Sequence, residues 1–300
     1  MMPVVRKKSV LSGTLVKEAM RRQVVQLQRS ASLSKCVNHL IKYKSRSLLV
    51  IDEVQRPIGV VSKTDLIVAY CGGVSIESPV VSIMNGPLAA CFPDDELEAS
   101  LDLMRTHGVH QLFVQGAEPS SIVGILTYPD VVALIYRTCK SCPRNTTRRR
   151  SHSPEDPEDT RPVTVHEAMT PTALGCGEED SLAEVIEGMV AYGLGALLIR
   201  SGDGLARGVI SKTDLIMAYN HGKSLGEKAR SLMSSPVATC DERSLLGDAI
   251  RTMFLKDVQR LFVHAGDPQK IVGVLSLTDA ARIRSASCRA CLPSRIIPIV

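Results

Sequence analysis

Apolar residues in this chain recur at two different periods, and the alternation between them repeats along its length. Leu33, Cys36, Val37, Leu40 and Ile41 keep the i, i+3, i+4, i+7, i+8 spacing of a one-faced helix, and Leu182, Val185, Ile186, Met189 and Val190 keep it again. Short apolar runs follow. Leu48 to Asp52 and Ile58 to Ser62 are joined by a turn holding Arg56 and Pro57, and runs of this length between turn residues predict paired strands. A short helix then closes the unit, Leu66 to Tyr70 in one copy and Leu215 to Tyr219 in another. Each unit opens with a helical turn ending at Met and a short strand, so the predicted order is β-α-β-β-α and the fold class is α/β.

Two repeat lengths organise these units. Met20 to Met84 and Met169 to Met233 are each 64 residues apart, while Gly59 to Gly124 and Gly208 to Gly273 are each 65. The longer offset is rigid: Met20 to Met169, Gly59 to Gly208, Asp65 to Asp214, Cys91 to Cys240, Asp130 to Asp279 and Cys139 to Cys288 are all 149 apart. The second half is therefore a copy of the first without net insertion. Expected boundaries are a first pair over 1–142 (repeats 10–72 and 76–140), a polar charged linker over 143–162, and a second pair over 163–300 (repeats 163–221 and 225–287). The linker is rich in Arg, Ser, Pro and acids, which reads as solvated chain or as a segment that binds nucleic acid.

The strongest repeated chemistry lies where the second strand enters the closing helix. The copies are Gly59-Val60-Val61-Ser62-Lys63-Thr64-Asp65, Gly124-Ile125-Leu126-Thr127-Tyr128-Pro129-Asp130, Gly208-Val209-Ile210-Ser211-Lys212-Thr213-Asp214 and Gly273-Val274-Leu275-Ser276-Leu277-Thr278-Asp279. A hydroxyl and a carboxylate one helical turn apart at a helix N-terminus offer a small ligand two polar handles. The same residues can simply cap the helix, and the two interpretations remain open at this level.

With the opening Glu18-Ala19-Met20, Ser82-Ile83-Met84, Glu167-Ala168-Met169 and Ser231-Leu232-Met233, these endings make the chain resemble a tandem array of cystathionine-β-synthase (CBS) repeats over about residues 14 to 284. The resemblance implies four repeats in two pseudo-twofold Bateman modules, packed as a disc, of the stand-alone kind found in archaea. It also implies a non-enzymatic regulator that binds an adenine nucleotide (AMP, ADP or ATP) or related adenosyl ligand between paired repeats and controls a partner. Carried over residue by residue, Asp65, Asp130, Asp214 and Asp279 would accept ribose hydroxyls. Ser62, Thr127, Ser211 and Ser276, with Thr64, Thr213 and Thr278, would meet phosphate; Pro129 breaks the threonine series. Cations aligned near the preceding strands are Arg46, His110 and Arg260, whereas the third repeat has Gly195 and Ala196, so unequal sites are expected. Lys63 and Lys212 either supply charge or are solvated.

Composition narrows the remaining possibilities. The chain has 300 residues, 44% of them hydrophobic, with no Trp, four Phe and six Tyr, so its cores are built from aliphatic residues. No run approaches the roughly 18 apolar residues that cross a bilayer, and Met1 to Lys8 lacks a signal peptide's apolar stretch; the expected location is cytoplasmic, with no membrane partner. The seven histidines are scattered, and neither a catalytic triad order nor a Walker loop occurs, so no enzyme is expected.

The formal net charge of +5 conceals a larger asymmetry. Residues 1 to 46 carry eleven Lys and Arg, among them Arg6, Lys7, Lys8, Lys17, Arg21 and Arg22, against Glu18 alone, whereas residues 150 to 195 carry ten acids against Arg150 and Arg161. The resemblance to stand-alone four-repeat CBS proteins also implies, as an alternative, a ribosome or rRNA partner and an inhibitory, hibernation-type role, and these basic residues with Arg148, Arg149 and Arg150 sharpen it. Opposite faces that pair in a homodimer would give the same pattern. Finally, Cys139-Lys140-Ser141-Cys142 and Cys288-Arg289-Ala290-Cys291 are duplicated CxxC elements. Four thiolates from Cys139, Cys142, Cys288 and Cys291 would suit zinc or an iron–sulfur cluster; a redox pair or unliganded helix-end thiols are the alternatives.

Overall fold

The computed structural model describes residues 10–118, 120–142 and 161–289. Arg6, Lys7, Lys8, Arg148, Arg149, Arg150, Cys291 and nearly all of the expected 143–162 linker lie outside the described residues. The first repeat runs α1 (Val16–Ala19), β1 (Gln26–Gln28), α2 (Leu33–Lys42), β2 (Ser47–Ile51), β3 (Pro57–Ser62) and α3 (Lys63–Cys71). The second replaces the opening helix with a 3₁₀ turn (Val80–Ser82) and continues β4 (Ala90–Cys91), α4 (Leu97–Thr106), β5 (Gln111–Gln115), β6 (Ile122–Thr127) and α5 (Tyr128–Ser141). The third is α6 (Val165–Ala168), β7 (Thr170–Pro171), β8 (Gly175–Gly177), α7 (Leu182–Ala191), β9 (Ala196–Arg200), β10 (Ala206–Ser211) and α8 (Lys212–Asn220). In the fourth a 3₁₀ turn (Ala229–Ser231) precedes β11 (Thr239–Asp241), α9 (Leu246–Leu255), β12 (Arg260–His264), β13 (Ile271–Ser276) and α10 (Leu277–Ile283).

Within each repeat a short strand pairs parallel to the first of two antiparallel strands, as β1 does with β2 and β2 with β3. The parallel step needs a crossover, and the amphipathic helix supplies it. Its apolar stripe is buried as the spacing predicts: Leu33, Cys36, Val37 and Leu40 on α2, and Leu182, Val185, Ile186 and Met189 on α7. Val190 departs from that expectation and is 45% exposed, because the stripe turns off the core at the last turn of α7. Of the duplicated strand cysteines, Cys91 is buried and Cys240 half-buried.

The four repeats close a ring through two kinds of interface. Sheet faces join partners inside each half: Leu49 and Ile51 meet Phe113 and Ile125, and Leu198 meets Phe262. Helix faces join the halves. One continuous core holds repeats one and three together and another holds repeats two and four, with α3 against α8 and α5 against α10. No helix among the described residues is long and apolar enough to cross a membrane.

One duplicated segment has diverged. The constant offset predicts closing helices of equal length in repeats two and four, yet α5 spans 14 residues and α10 only seven. Arg284 adopts a left-handed φ of 56° and ends α10 there. Its guanidinium reaches Glu98 and Asp102 on α4 at 3.4 and 3.1 Å, so ion pairs made only in the folded ring accompany the break.

Candidate functional site

Every copy of the glycine-to-aspartate motif forms the same local structure. Ser62 is the N-cap of α3: its hydroxyl accepts from the Asp65 amide, while Asp65 Oδ2 accepts from the Ser62 amide at 2.6 Å and from its hydroxyl at 2.7 Å. Ser211 with Asp214 and Ser276 with Asp279 repeat this capping box, and Asp130 Oδ2 accepts from the Thr127 amide and hydroxyl. Capping therefore accounts for one oxygen of each aspartate. In the first half the other, Oδ1, is met by the paired repeat: Asp130 Oδ1 accepts from Arg21 Nε at 2.9 Å, and Asp65 Oδ1 accepts from Asn85 Nδ2 at 2.8 Å.

The motif glycines explain how the paired repeats come this close. A Cβ on Gly124 would stand 2.8 Å from the Arg21 carbonyl oxygen and 3.0 Å from Met20 Sδ; one on Gly273 would stand 2.8 Å from both Met169 Sδ and the Thr170 carbonyl oxygen. Gly59 is equally crowded by Met84 and Asn85, and Gly208 by Met233. The opening Met of one repeat thus seats on the motif Gly of its partner. The residue after it bridges to the partner strand, Arg21 to Ile125 and Asn85 to Val60. Each cleft is built by two repeats, a relation the sequence does not display although it contains both halves of every contact.

Basic side chains of the first, third and fourth repeats gather within electrostatic reach of one another. Lys63 Nζ donates to Thr213 Oγ1 at 2.7 Å and Lys212 Nζ donates to Thr64 Oγ1 at 2.8 Å, a reciprocal clasp between the first and third repeats. Thr64 and Thr213 therefore serve as lysine acceptors here, and both lysines are half-buried. Arg46 donates to Gln259 of the fourth repeat. The gap expected at Gly195 is filled from the paired repeat: a Cβ there would collide with Arg260 Nη2, so the missing side chain leaves room for that guanidinium. Each half keeps one central arginine, Arg46 from the first repeat and Arg260 from the fourth.

Proton affinities record the strain of this gathering. Burial draws Lys63 down to about 8, helped by Arg46 and opposed by Asp214. Burial likewise draws Arg260 down to about 10, with Arg46 adding to it and Asp279 opposing. Arg46 and Lys212 are lowered for the same first cause, and Asp130 and Asp65 respectively pull them back. His110 falls to about 4 through desolvation and the fields of Arg46, Lys212, Arg282 and Arg260; because its side chain stays exposed, we attribute the shift chiefly to those cations. Gln111, the counterpart of Arg260 in the second repeat, is 8% exposed, and both its amide atoms lack a partner among the described residues. An orphaned buried amide costs about 1–3 kcal/mol.

The other expected sites fare differently. Lys17 pairs with Asp94 at 2.7 Å and Arg21 with Asp130, so neither is a free polyanion contact, whereas Arg22 remains exposed. Cys139 is buried in the last turn of α5, with its thiol raised by desolvation and its Sγ accepting from the Ala286 amide. Cys288 lies in the non-helical segment after α10, close enough to Cys139 to bear on its ionisation, while Cys142 is half-buried. Among the described residues, no group of three His, Cys, Asp or Glu could hold a metal ion.

Comparison with known proteins agrees with this architecture. A family model described as CBS domain matches residues 16–72, 80–137, 165–221 and 229–286. A solved protein of Methanocaldococcus jannaschii, described as a candidate archaeal homologue of γ-AMPK, superposes with a TM-score of 0.72 at 17% identity, covering 89% of this chain and 99% of that one. An uncharacterised conserved protein of Pyrococcus horikoshii superposes with a TM-score of 0.59 at 15% identity over 90% and 100% of the two chains. By sequence, an uncharacterised protein of Methanopyrus kandleri is 26% identical over 125 residues, 41% of this chain. The match spans 63% of that relative, less than two thirds of its length.

Proposed function

This chain belongs to the CBS-domain family, with four domains forming two Bateman modules, and from that premise we propose that it is a non-enzymatic regulator whose clefts bind adenosyl ligands. AMP, ADP or ATP would place ribose hydroxyls on the motif aspartates and phosphates on Arg46, Arg260, Lys63 and Lys212; occupancy would then control a partner protein. One observation carries the proposal: cations from three repeats are drawn together at partial burial, and every resolved shift among them disfavours the charged form. Desolvation and like charge oppose that arrangement in the empty fold. An anion at the centre relieves it, and the buried unpartnered amide of Gln111 supports a ligand there as well. Regulation follows if the ligand binds one packing of the ring better than another, because the clasp and the shared cores couple the halves.

Thermal unfolding with AMP, ADP, ATP and S-adenosylmethionine tests the proposal. A ligand at 100 times its Kd adds about 2.7 kcal/mol, which is visible as a raised Tm. No change with any of the four would sink it.

The Lys63 shift also sets a pH dependence with two opposite signs. Lys63 keeps its proton below about 8 in the fold against an ordinary 10.5, so the folded state binds fewer protons than the unfolded chain between those values. Stability of the ligand-free protein should therefore rise with pH across that window, since the unfolded state is the one holding the extra proton and higher pH disfavours it. Affinity for phosphate-bearing ligands should fall over the same window as the ammonium is lost. Calorimetric titration from about pH 7 to 10, beside melts in the same buffers, reads both slopes; parallel slopes would exclude Lys63 as the titrating group.

A further inference from the structure

The residue after each opening methionine pairs with the motif strand of the paired repeat, and it differs in all four copies: Arg21, Asn85, Thr170 and Ser234. Because the capping box commits Oδ2 everywhere, Oδ1 is the oxygen left for a ligand hydroxyl. In the Asp130 cleft it is taken by Arg21 Nε at 2.9 Å, with the carboxylate side chain only 12% exposed. In the Asp65 cleft a neutral amide, Asn85, takes it at 2.8 Å. Among the described residues Thr170 and Ser234 make no bond to Asp279 or Asp214. Among the described residues the ion pair of Asp279 Oδ1 is with Arg282, at 4.0 Å and from its own helix, and Asp279 also acts at longer range on Arg260.

We propose that Arg21 is an internal latch, a guanidinium of the first repeat that occupies the ribose position on Asp130 and keeps that cleft closed to adenosyl ligands while the second module's clefts stand open. The inference rests on the adenosyl-binding proposal and adds which cleft is refused and by which residue. A guanidinium–carboxylate bond is charge-assisted and roughly twice as strong as a neutral one. A ribose diol brings only neutral donors, so it replaces Asn85 or water far more readily than it replaces Arg21. The rest of the cleft is built for occupation: Thr127 caps α5, Arg46 lies within electrostatic reach of Asp130, and the Gln111 amide, opposite Thr127 in the strand register, has no partner among the described residues. Arg21 is thus what distinguishes the latched cleft from a competent one, and an opening residue as short as Thr170 or Ser234 leaves its carboxylate free.

Titration calorimetry with AMP, and separately with S-adenosylmethionine, tests the latch on the full chain. Arg21→Ala is expected to bind about one more equivalent per chain than the unsubstituted protein, and Arg21→Ala combined with Asp130→Asn to lose that extra equivalent. The converse variant, Thr170→Arg, should close the Asp279 cleft and remove about one equivalent. A gained site cannot arise from misfolding, which keeps the first variant decisive. Equal stoichiometry in Arg21→Ala and the unsubstituted protein, with both binding, overturns the latch and leaves adenosyl binding standing. Absence of binding in every variant overturns adenosyl binding and the latch with it.

Discussion

Replacing Arg46 and Arg260 together with methionine is expected to stabilise the ligand-free protein while abolishing most of its affinity for phosphate-bearing ligands. Both guanidiniums are lowered in proton affinity, so the fold bears their charge at a cost, and desolvation is the leading cause for each. Methionine keeps the length and flexibility of the side chain without the charge. Replacing buried charges with well-packed apolar groups commonly gains about 1–4 kcal/mol, and a gain within that range is expected. Each lost charge-assisted contact to phosphate costs about 1.5–3 kcal/mol of binding, so the pair lowers affinity by at least roughly a hundredfold. Melting temperature without ligand and AMP affinity by calorimetry should move in opposite directions. A double variant that melts lower and binds AMP unchanged would remove the central cluster from any role in binding.

Truncating the helix-side core carries the second large effect. Ile67 on α3 and Ile216 on α8 are equivalent positions, 1% and 0% exposed, and they lie in the one cluster shared by the first and third repeats. Deleting such a side chain to alanine costs about 2–5 kcal/mol. The cavity opens in a core belonging to both modules, so Ile67→Ala should weaken the second module as well as the first. Chemical unfolding followed by circular dichroism, with hydrogen exchange read in each module, checks this. Loss of protection confined to residues of the first module would mean that the halves are energetically separate.

Much of this architecture is legible in the chain because it depends on near neighbours. The stripe from Leu33 to Leu40 appears as a buried helix face, the paired apolar runs appear as antiparallel strands, and Ser62 with Asp65 reads as a helix start before any coordinate is known. The fourfold motif likewise marks the four helix starts that carry a capping box. Less legible is which oxygen of each aspartate is spent on the cap, because capping and ligand binding ask for the same residue types at the same spacing. The expected cysteine symmetry also fails to carry through: Cys139 is helical and Cys288 is not, because Arg284 finds Glu98 and Asp102 across the ring.

Period, spacing and capping chemistry determine from the chain alone that there are four units, what each is made of, and where hydroxyl and carboxylate meet a helix start. These are local matters, decided within one or two helical turns by side-chain direction and backbone hydrogen bonding. Tertiary structure alone decided who faces whom: Met20 on Gly124, Lys63 on Thr213, Arg260 in the space above Gly195, and Arg21 on Asp130. Those pairings join residues from 65 to 150 positions apart, and they form because apolar sheet and helix faces bury one another and bring the polar ends of the repeats to a common centre.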